Sequence, residues 1–205
     1  MNRLEEILNA HNINGRDKEG GTDKATIHTY TAAYEKYLSP YVGKNPSILE
    51  IGVWEGGSAL LWQEFLSPKV IVGIDIDDYI KVRHKLNSSF RFYQRNAYVQ
   101  ETVDLIKRDF PEGFDIIIED GIHTETSNSF SIKNYLPMLR DGGVMVIEDI
   151  PANTSIEIPF GYTVITPSVL DKMVGEIPMG YEIDVLDFTE AKGRYDDILF
   201  IIKKP

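Results

Sequence analysis

The sequence has no cysteine. Disulfides, thiolate metal sites and cysteine nucleophiles are therefore excluded, and a reducing compartment such as the cytoplasm fits. Positive charge is also scarce. The 21 Lys and Arg stand against 32 Asp and Glu, for a formal net charge of −11. A phosphate backbone needs a basic surface, so nucleic acid is excluded as a partner. An anionic membrane surface is excluded on the same ground. No apolar run is long enough to span a bilayer. The opening residues Met1-Asn2-Arg3-Leu4-Glu5-Glu6 are acidic and amphipathic and do not read as a signal peptide. Repeats and low-complexity tracts are missing as well. The 205 residues suit one domain, 1–205, with a full hydrophobic core.

What is present is concentrated first in residues 47–58, SILEIGVWEGGS. A short apolar run, Ile48 to Val53, is broken by Gly52, Gly56 and Gly57, and a second apolar run opens at Ala59. That is the pattern of a buried parallel strand turning into a helix. The turn serves either as a plain connection or as a ligand loop. Glycine lets backbone approach a ligand closely, and the following helix offers unpaired N–H groups. The spacing is not the G-x-G-x-x-G of a dinucleotide site, and no Gly-Lys-Ser/Thr follows for a phosphate loop. It is Glu50-x-Gly52-x-x-x-Gly56-x-Ser58. This resembles the first motif, E-x-G-x-x-x-G, of the class I S-adenosylmethionine-dependent methyltransferases. The resemblance implies S-adenosylmethionine as cofactor, with Glu50, Gly52, Gly56 and Ser58 around it. An acid near the loop suits the ammonium and sulfonium charges of that molecule.

Around this stretch the chain alternates. Residues 1–40 form an N-terminal helical segment. One short helix carries Leu4, Ile7, Leu8 and His11, and a second carries Ile27, Tyr30, Tyr34, Tyr37 and Leu38 on one face. Most of these tyrosines are expected in the core. Residues 47–205 form the main body. After the first strand, strands are expected at 70–76, 90–95, 114–118, 144–147, 181–188 and 198–202. Helices are expected at 59–66, 79–86, 99–110 and 169–174. Another runs from Phe130 to Leu139 and stops at Asp141-Gly142-Gly143. Residues 151–167 read as irregular. Strands alternating with helices predict an α/β fold with parallel pairing, right-handed crossovers and helices on both faces. The last two strands are separated only by a polar turn and should pair antiparallel. The result is a Rossmann-like, mostly parallel seven-stranded sheet with one antiparallel terminal strand, as in the methyltransferase fold.

In open parallel sheets ligands bind outside the carboxyl ends of the strands. The second strand ends in Asp75-Ile76-Asp77, where an acid can accept ribose hydroxyls. The third ends at Arg95-Asn96-Ala97, where Asn96 and Ala97 can meet an adenine edge. The fourth ends in Glu119-Asp120-Gly121-Ile122-His123 and the fifth in Glu148-Asp149. Adjacent parallel strands bring Asp120, Glu148 and Asp149 together. Close carboxylates repel unless protonated or bound to a cation, and an all-oxygen set suits a hard ion such as Mg²⁺ or Mn²⁺. His123 lies three residues after Asp120, and an imidazole is a side chain suited to take a proton from a nucleophile. His11, His28 and His84 lack such a setting.

Four pieces then occur in a distinctive order: Gly21-Thr22-Asp23-Lys24 with His28 and Tyr30, Leu49-Glu50-Ile51-Gly52, Glu119-Asp120-Gly121-x-His123, and Ile147-Glu148-Asp149. Together they resemble the metal-dependent branch of class I methyltransferases that includes the macrolide-sugar O-methyltransferases and their cephalosporin-pathway relatives. The resemblance implies a divalent metal, magnesium or manganese, on Asp120, Glu148 and Asp149. It implies His123 as general base and Lys24 and Tyr30 closing over the cofactor, with Asp120 next to it. The acid pair before Gly-x-His is usually Asp-Asp in that branch and is Glu119-Asp120 here. A sugar hydroxyl, free or in a glycan or glycoside, is the expected acceptor. Catechol enzymes share fold and metal but typically end their ligand set in Asp-Asn and use a lysine base. Residues 151–162 would rim the site, with Asn153, Thr154 and Ser155 donating to hydroxyls and Phe160 and Tyr162 stacking on a sugar face. The competing classes are a metal-dependent hydrolase and a non-catalytic cofactor-binding module. Nothing in the residues sets an oligomeric state, and a homo-oligomer is compatible with them.

Overall fold

A computed structural model of the protein describes residues 1–151 and 172–205. Asn153, Thr154, Ser155, Phe160 and Tyr162 lie outside the described residues. The chain divides into two compact units, Met1–Arg95 and Asn96–Pro205.

The first unit holds α1 (Arg3–Ala10), α2 (Thr31–Leu38), β1 (Ser47–Ile51), α3 (Gly57–Leu66), β2 (Val70–Asp75) and β3 (Phe90–Gln94). Asn2 caps α1, its side chain accepting the Glu5 N–H at 2.9 Å. Leu4 and Leu8, one turn apart, are buried. Every residue of β1 is buried, as a strand covered on both faces requires. The pairing is parallel from Ser47↔Val70 to Ile51↔Ile74, and β3 continues it on the far side of β2. Leu60, Leu61, Trp62 and Phe65 make α3 apolar almost all round, and all are buried. The three helices pack together, with Tyr34 and Trp62 at 4.8 Å between ring centroids. Tyr30, Tyr34 and Tyr37 are core, as expected.

Two expected helices are shortened. The helix carrying Ile27 and Tyr30 starts only at Thr31. Residues 23–30 turn instead, because the Asp23 carbonyl takes the N–H groups of Thr26, Ile27 and His28 and the Lys24 carbonyl takes that of Tyr30. The helix expected at 79–86 is one 3₁₀ turn, Arg83–Lys85. Lys81 and Val82 donate their N–H groups to the Glu55 carbonyl at 3.0 and 3.5 Å, so their donors are spent outside any helix.

The second unit holds α4 (Gln100–Asp109), β4 (Phe114–Glu119), α5 (Glu125–Asn134), β5 (Leu139–Ile147), β6 (Glu182–Asp187) and β7 (Ile198–Lys203). Thr102, Val103 and Ile106 form the buried stripe of α4. Asp141-Gly142-Gly143 does not stop a helix. α5 has already ended at Asn134, ahead of Pro137, which has no N–H to donate. The glycines lie inside β5, where the register against β4 jumps between Phe114↔Leu139 and Ile116↔Val144. Gly142, at φ 73°, supplies a conformation that side chains avoid. Residues 172–175 are helical, matching the end of the helix expected at 169–174; its start lies outside the described residues.

The seven strands are ordered β3-β2-β1-β4-β5-β7-β6, a mostly parallel α/β sheet flanked by helices. β7 runs antiparallel to both β5 and β6. The antiparallel strand is last in sequence but not at the sheet edge; β6 is.

Candidate functional site

Two loops at strand carboxyl ends carry the expected residues, one in each unit. In the first unit the chain leaves β1 through three left-handed residues, Gly52 (φ 85°), Trp54 (φ 49°) and Gly56 (φ 91°). Glycine takes this conformation freely; Trp54 does so at a cost of about 1–2 kcal/mol. Asp75 offsets it. Its Oδ2 accepts the N–H groups of Val53 and Trp54, both at 2.9 Å, and its Oδ1 accepts that of Asp77 at 3.2 Å. Asp75 stands where a ribose acceptor was expected, but its oxygens clamp the glycine loop. Asp77 is exposed. Glu50 is fully buried and accepts Trp62 Nε1–H at 3.0 Å. A carboxylate buried at the root of this loop is a costly charge and a natural counterpart for a cation.

The glycines divide their work. A Cβ on Gly56 would press Ile80 at 2.9 Å and Val82 at 3.0 Å, and one on Gly57 would overlap the Gly20 carbonyl. On the side where a Cβ would point, these two face protein packing. Glu55 holds the same segments, accepting the Gly20 N–H at 3.0 Å and pairing with Lys81. Ser58 is buried in the first turn of α3.

Lys24 and Tyr30 are not exposed flaps. Lys24 is buried with its Nζ 5.9 Å from the Tyr34 ring centroid. Tyr30 is buried and stacked on His28 at 4.7 Å. Between them Asp23 meets Arg16 at 2.6 Å and His28 Nε2 at 3.7 Å. Burial works against its charge, but Lys24, His28 and Arg16 together hold the Asp23 carboxyl below its ordinary range.

In the second unit Glu119 pairs with Ile147, and the Glu148 N–H donates to the Glu119 carbonyl at 2.9 Å. The acids after β4 and β5 therefore leave neighbouring strand ends. Ligand atoms of Asp120, His123 and Asp149 all lie within 4.8 Å of one another. His123 Nε2 is 3.8 Å from Asp120 Oδ1 and 3.8 Å from Asp149 Oδ2. His123 (φ 51°) and Asp149 (φ 55°) are both left-handed, strain of the kind that clusters at functional sites. Glu148 is buried but is not one of the three that converge. The three that converge are thus two of the expected acids, Asp120 and Asp149, together with His123. Two carboxylates and an imidazole fit a divalent ion.

Sequence reasoning overlooked Tyr98. Its hydroxyl donates to Glu119 Oε1 in a short hydrogen bond and accepts the Ile122 N–H at 3.3 Å. Glu119 is fully buried. Burial pushes its carboxyl above the ordinary range and Asp120 adds to this, while His123 and the Tyr98 hydroxyl oppose it. Burial, then the Glu119 charge, raises the Tyr98 hydroxyl too. The only trace in the sequence is a tyrosine just after a strand's carboxyl end. Asn96 is exposed, and its Oδ1 accepts the Tyr98 N–H at 2.9 Å. Ala97 is buried, its carbonyl accepting the Tyr135 hydroxyl at 2.7 Å. Both close this loop locally, beside their expected role at an adenine.

Comparison with known proteins bears on the same residues. A family model described as a methyltransferase domain matches residues 49–150, from within β1 to just past β5. The chain is 32% identical over 165 residues to an 8-demethyl-8-alpha-L-rhamnosyl tetracenomycin-C 2'-O-methyltransferase of Streptomyces olivaceus, covering 72% of this chain and 41% of that one. It is 33% identical over 130 residues to a mycinamicin VI 2''-O-methyltransferase of Micromonospora griseorubida, covering 60% and 32%. Among solved structures it resembles the MycE methyltransferase of the mycinamycin biosynthetic pathway, in complex with Mg and SAH. The TM-score is 0.74 at 25% identity, over 99% of this chain and 55% of that one. The chain spans less than half the length of these two curated relatives.

Proposed function

Because the chain belongs to the methyltransferase-domain family, matching it over residues 49–150, we propose that it is a metal-dependent O-methyltransferase acting from S-adenosylmethionine on a sugar hydroxyl. The observation that carries this is the convergence of Asp120, His123 and Asp149 at the ends of β4 and β5. The names of the curated relatives, O-methyltransferases of a rhamnosyl tetracenomycin-C and of mycinamicin VI, and the Mg and SAH of the MycE complex support the same reading.

Glu50 and the Gly52 turn would receive the cofactor, with Asp75 holding the turn in shape. Asp120 and Asp149 would hold the ion, with Glu148 as the neighbouring acid able to complete the set. When bound, S-adenosylmethionine supplies an electrophilic methyl group and the divalent ion acidifies and orients a hydroxyl. His123 takes the hydroxyl proton at Nε2. The same Nε2 lies 3.8 Å from an oxygen of each aspartate, which supports the alternative that its lone pair ligates the ion, with a carboxylate then taking the proton. Vicinal hydroxyls of sugars and catechols can both chelate an ion; a sugar is preferred because the acids here end in Glu148-Asp149 and the candidate base is His123, where catechol enzymes typically carry Asp-Asn and a lysine. The proposal includes one cytoplasmic methyltransferase domain over residues 1–205. Among the described residues no helix is long and apolar enough to cross a membrane.

The test combines calorimetry and turnover. S-Adenosylhomocysteine should bind with or without Mg²⁺. Turnover on a panel of glycosides should stop on chelation and return with Mg²⁺ or Mn²⁺. Full turnover after exhaustive chelation sinks the metal, and preference for catechol over every saccharide sinks the acceptor class.

A further inference from the structure

The residues proposed to hold the ion and move the proton sit on a turn, 120–123, that is fixed at both ends. Its far end is fixed by the start of α5. There the Thr124 side chain accepts the Ser127 N–H at 3.1 Å and the Ser127 hydroxyl accepts the Thr124 N–H at 3.0 Å, a closed capping box. Its near end is fixed by a side chain from elsewhere. The Tyr98 hydroxyl donates to Glu119 and accepts from the backbone of Ile122, so one oxygen bridges the residue before Asp120 and the residue before His123. Gly121 lies directly under that oxygen. A Cβ there would overlap the hydroxyl and stand 3.0 Å from Tyr98 Cζ. Between the two anchors His123 is left in a left-handed conformation, which persists only where its surroundings over-determine it.

We infer that Tyr98 is a positioning residue of the reaction, its hydroxyl pinning the turn that presents Asp120 and His123. The inference rests on the functional reading above and adds to it a residue with no part in binding or proton transfer. Three features belong together on this account. Glycine is needed at 121 because the pin passes over it. Glu119 is buried without a role as ligand because it is the acceptor of the pin. The hydroxyl, not the ring, is the functional part of Tyr98.

The experiment compares wild type, Asp120→Asn, Tyr98→Phe, Gly121→Ala and the double variant Tyr98→Phe/Gly121→Ala. Mn²⁺ affinity is measured by electron paramagnetic resonance, kcat and KM by S-adenosylhomocysteine release, and folding by thermal melting. Displacing a turn by a fraction of an ångström should lower kcat by roughly tenfold or more. Tyr98→Phe should therefore lose about tenfold in kcat and weaken Mn²⁺ binding several-fold, with KM for S-adenosylmethionine within twofold of wild type. Gly121→Ala should do the same. The double variant should be no worse than either single, because the pin is lost once and the added methyl no longer meets an oxygen. A purely structural role predicts additive losses that follow the melting temperature. A last variant, Tyr98→Phe/Glu119→Leu, replaces both partners with apolar groups, which keeps a buried pair tolerable, and should still show the kcat loss if Tyr98→Phe folds poorly. The inference is overturned if these variants keep kcat and Mn²⁺ affinity within twofold of wild type, or if the losses add. If wild type binds no Mn²⁺, or Asp120→Asn binds it as well as wild type, the functional reading itself has failed.

Discussion

The loop of residues 52–57 and the loop of residues 119–123 meet the same requirement in opposite ways. Each takes the chain off the end of a parallel strand through left-handed backbone. In the first, two of the three left-handed positions are glycine, and the third, Trp54, is held by the Asp75 carboxylate. In the second, the left-handed position is His123, and a matching one after β5 is Asp149. Those are the residues with chemistry to offer. On the proposed function, the first loop would act through its backbone and the second through its side chains. It follows that the first should suffer most from any added Cβ. The second should suffer most from loss of a functional group at unchanged shape.

The sharpest break of the first loop is Gly52→Val. It should weaken S-adenosylmethionine binding more than a hundredfold in calorimetry, because a branched side chain then stands where backbone must approach the ligand. The left-handed backbone adds a folding cost of about 1–2 kcal/mol, visible as a modest drop in melting temperature. Mn²⁺ binding should be unaffected. Unchanged cofactor affinity in the folded variant removes Gly52 from the site.

The matching break of the second loop is His123→Ala. Turnover should fall by roughly a hundredfold, the usual worth of a positioned base, with little change in cofactor affinity. The two alternatives for the side chain, base or ligand, separate in the same sample. A base leaves Mn²⁺ affinity near wild type when removed, whereas a ligand takes much of that affinity with it. A loss of only a few-fold in turnover would mean that a carboxylate takes the proton or that the ion suffices.

How far these loops were legible differs for the same reason. β1, β2 and β4 are apolar runs because they are covered on both faces, and such strands announce themselves. The acids at 119–120 and 148–149 follow from strand ends alone, so the second loop was legible once parallel pairing was assumed. His123 joining the two aspartates more closely than Glu148 was not, since it depends on one left-handed residue that no spacing encodes. In the first loop the glycine pattern was visible but its division of labour was not. Ile80 and Val82 lie in a segment expected to be helical, yet they fold over Gly56 while the Glu55 carbonyl takes the N–H groups of Lys81 and Val82. Asp75 as a clamp and Tyr98 as a pin are likewise tertiary hydrogen bonds, reaching 22 and 24 residues along the chain. Local pattern carries no trace of such reach.

The smallest expected effect on the chemistry is also the finest test of that division. Gly56 and Gly52 look alike in the sequence, and both are left-handed. Gly56 has its open side filled by protein, with Ile80 and Val82 at 2.9 and 3.0 Å from where a Cβ would lie. Gly56→Ala should therefore act on folding. The left-handed position costs about 1–2 kcal/mol, and forcing a methyl against Val82 adds about 1–3 kcal/mol of overpacking. Cofactor affinity of the folded variant should stay within a few-fold of wild type. Val82→Ala should relieve the second part and not the first, so the double variant should be more stable than Gly56→Ala while still less stable than Val82→Ala alone. Chemical denaturation of the four proteins gives the coupling directly. Strict additivity would mean that Gly56 does not meet Val82. A hundredfold loss of cofactor affinity in Gly56→Ala, at nearly unchanged stability, would return this glycine to the ligand and erase the distinction from Gly52.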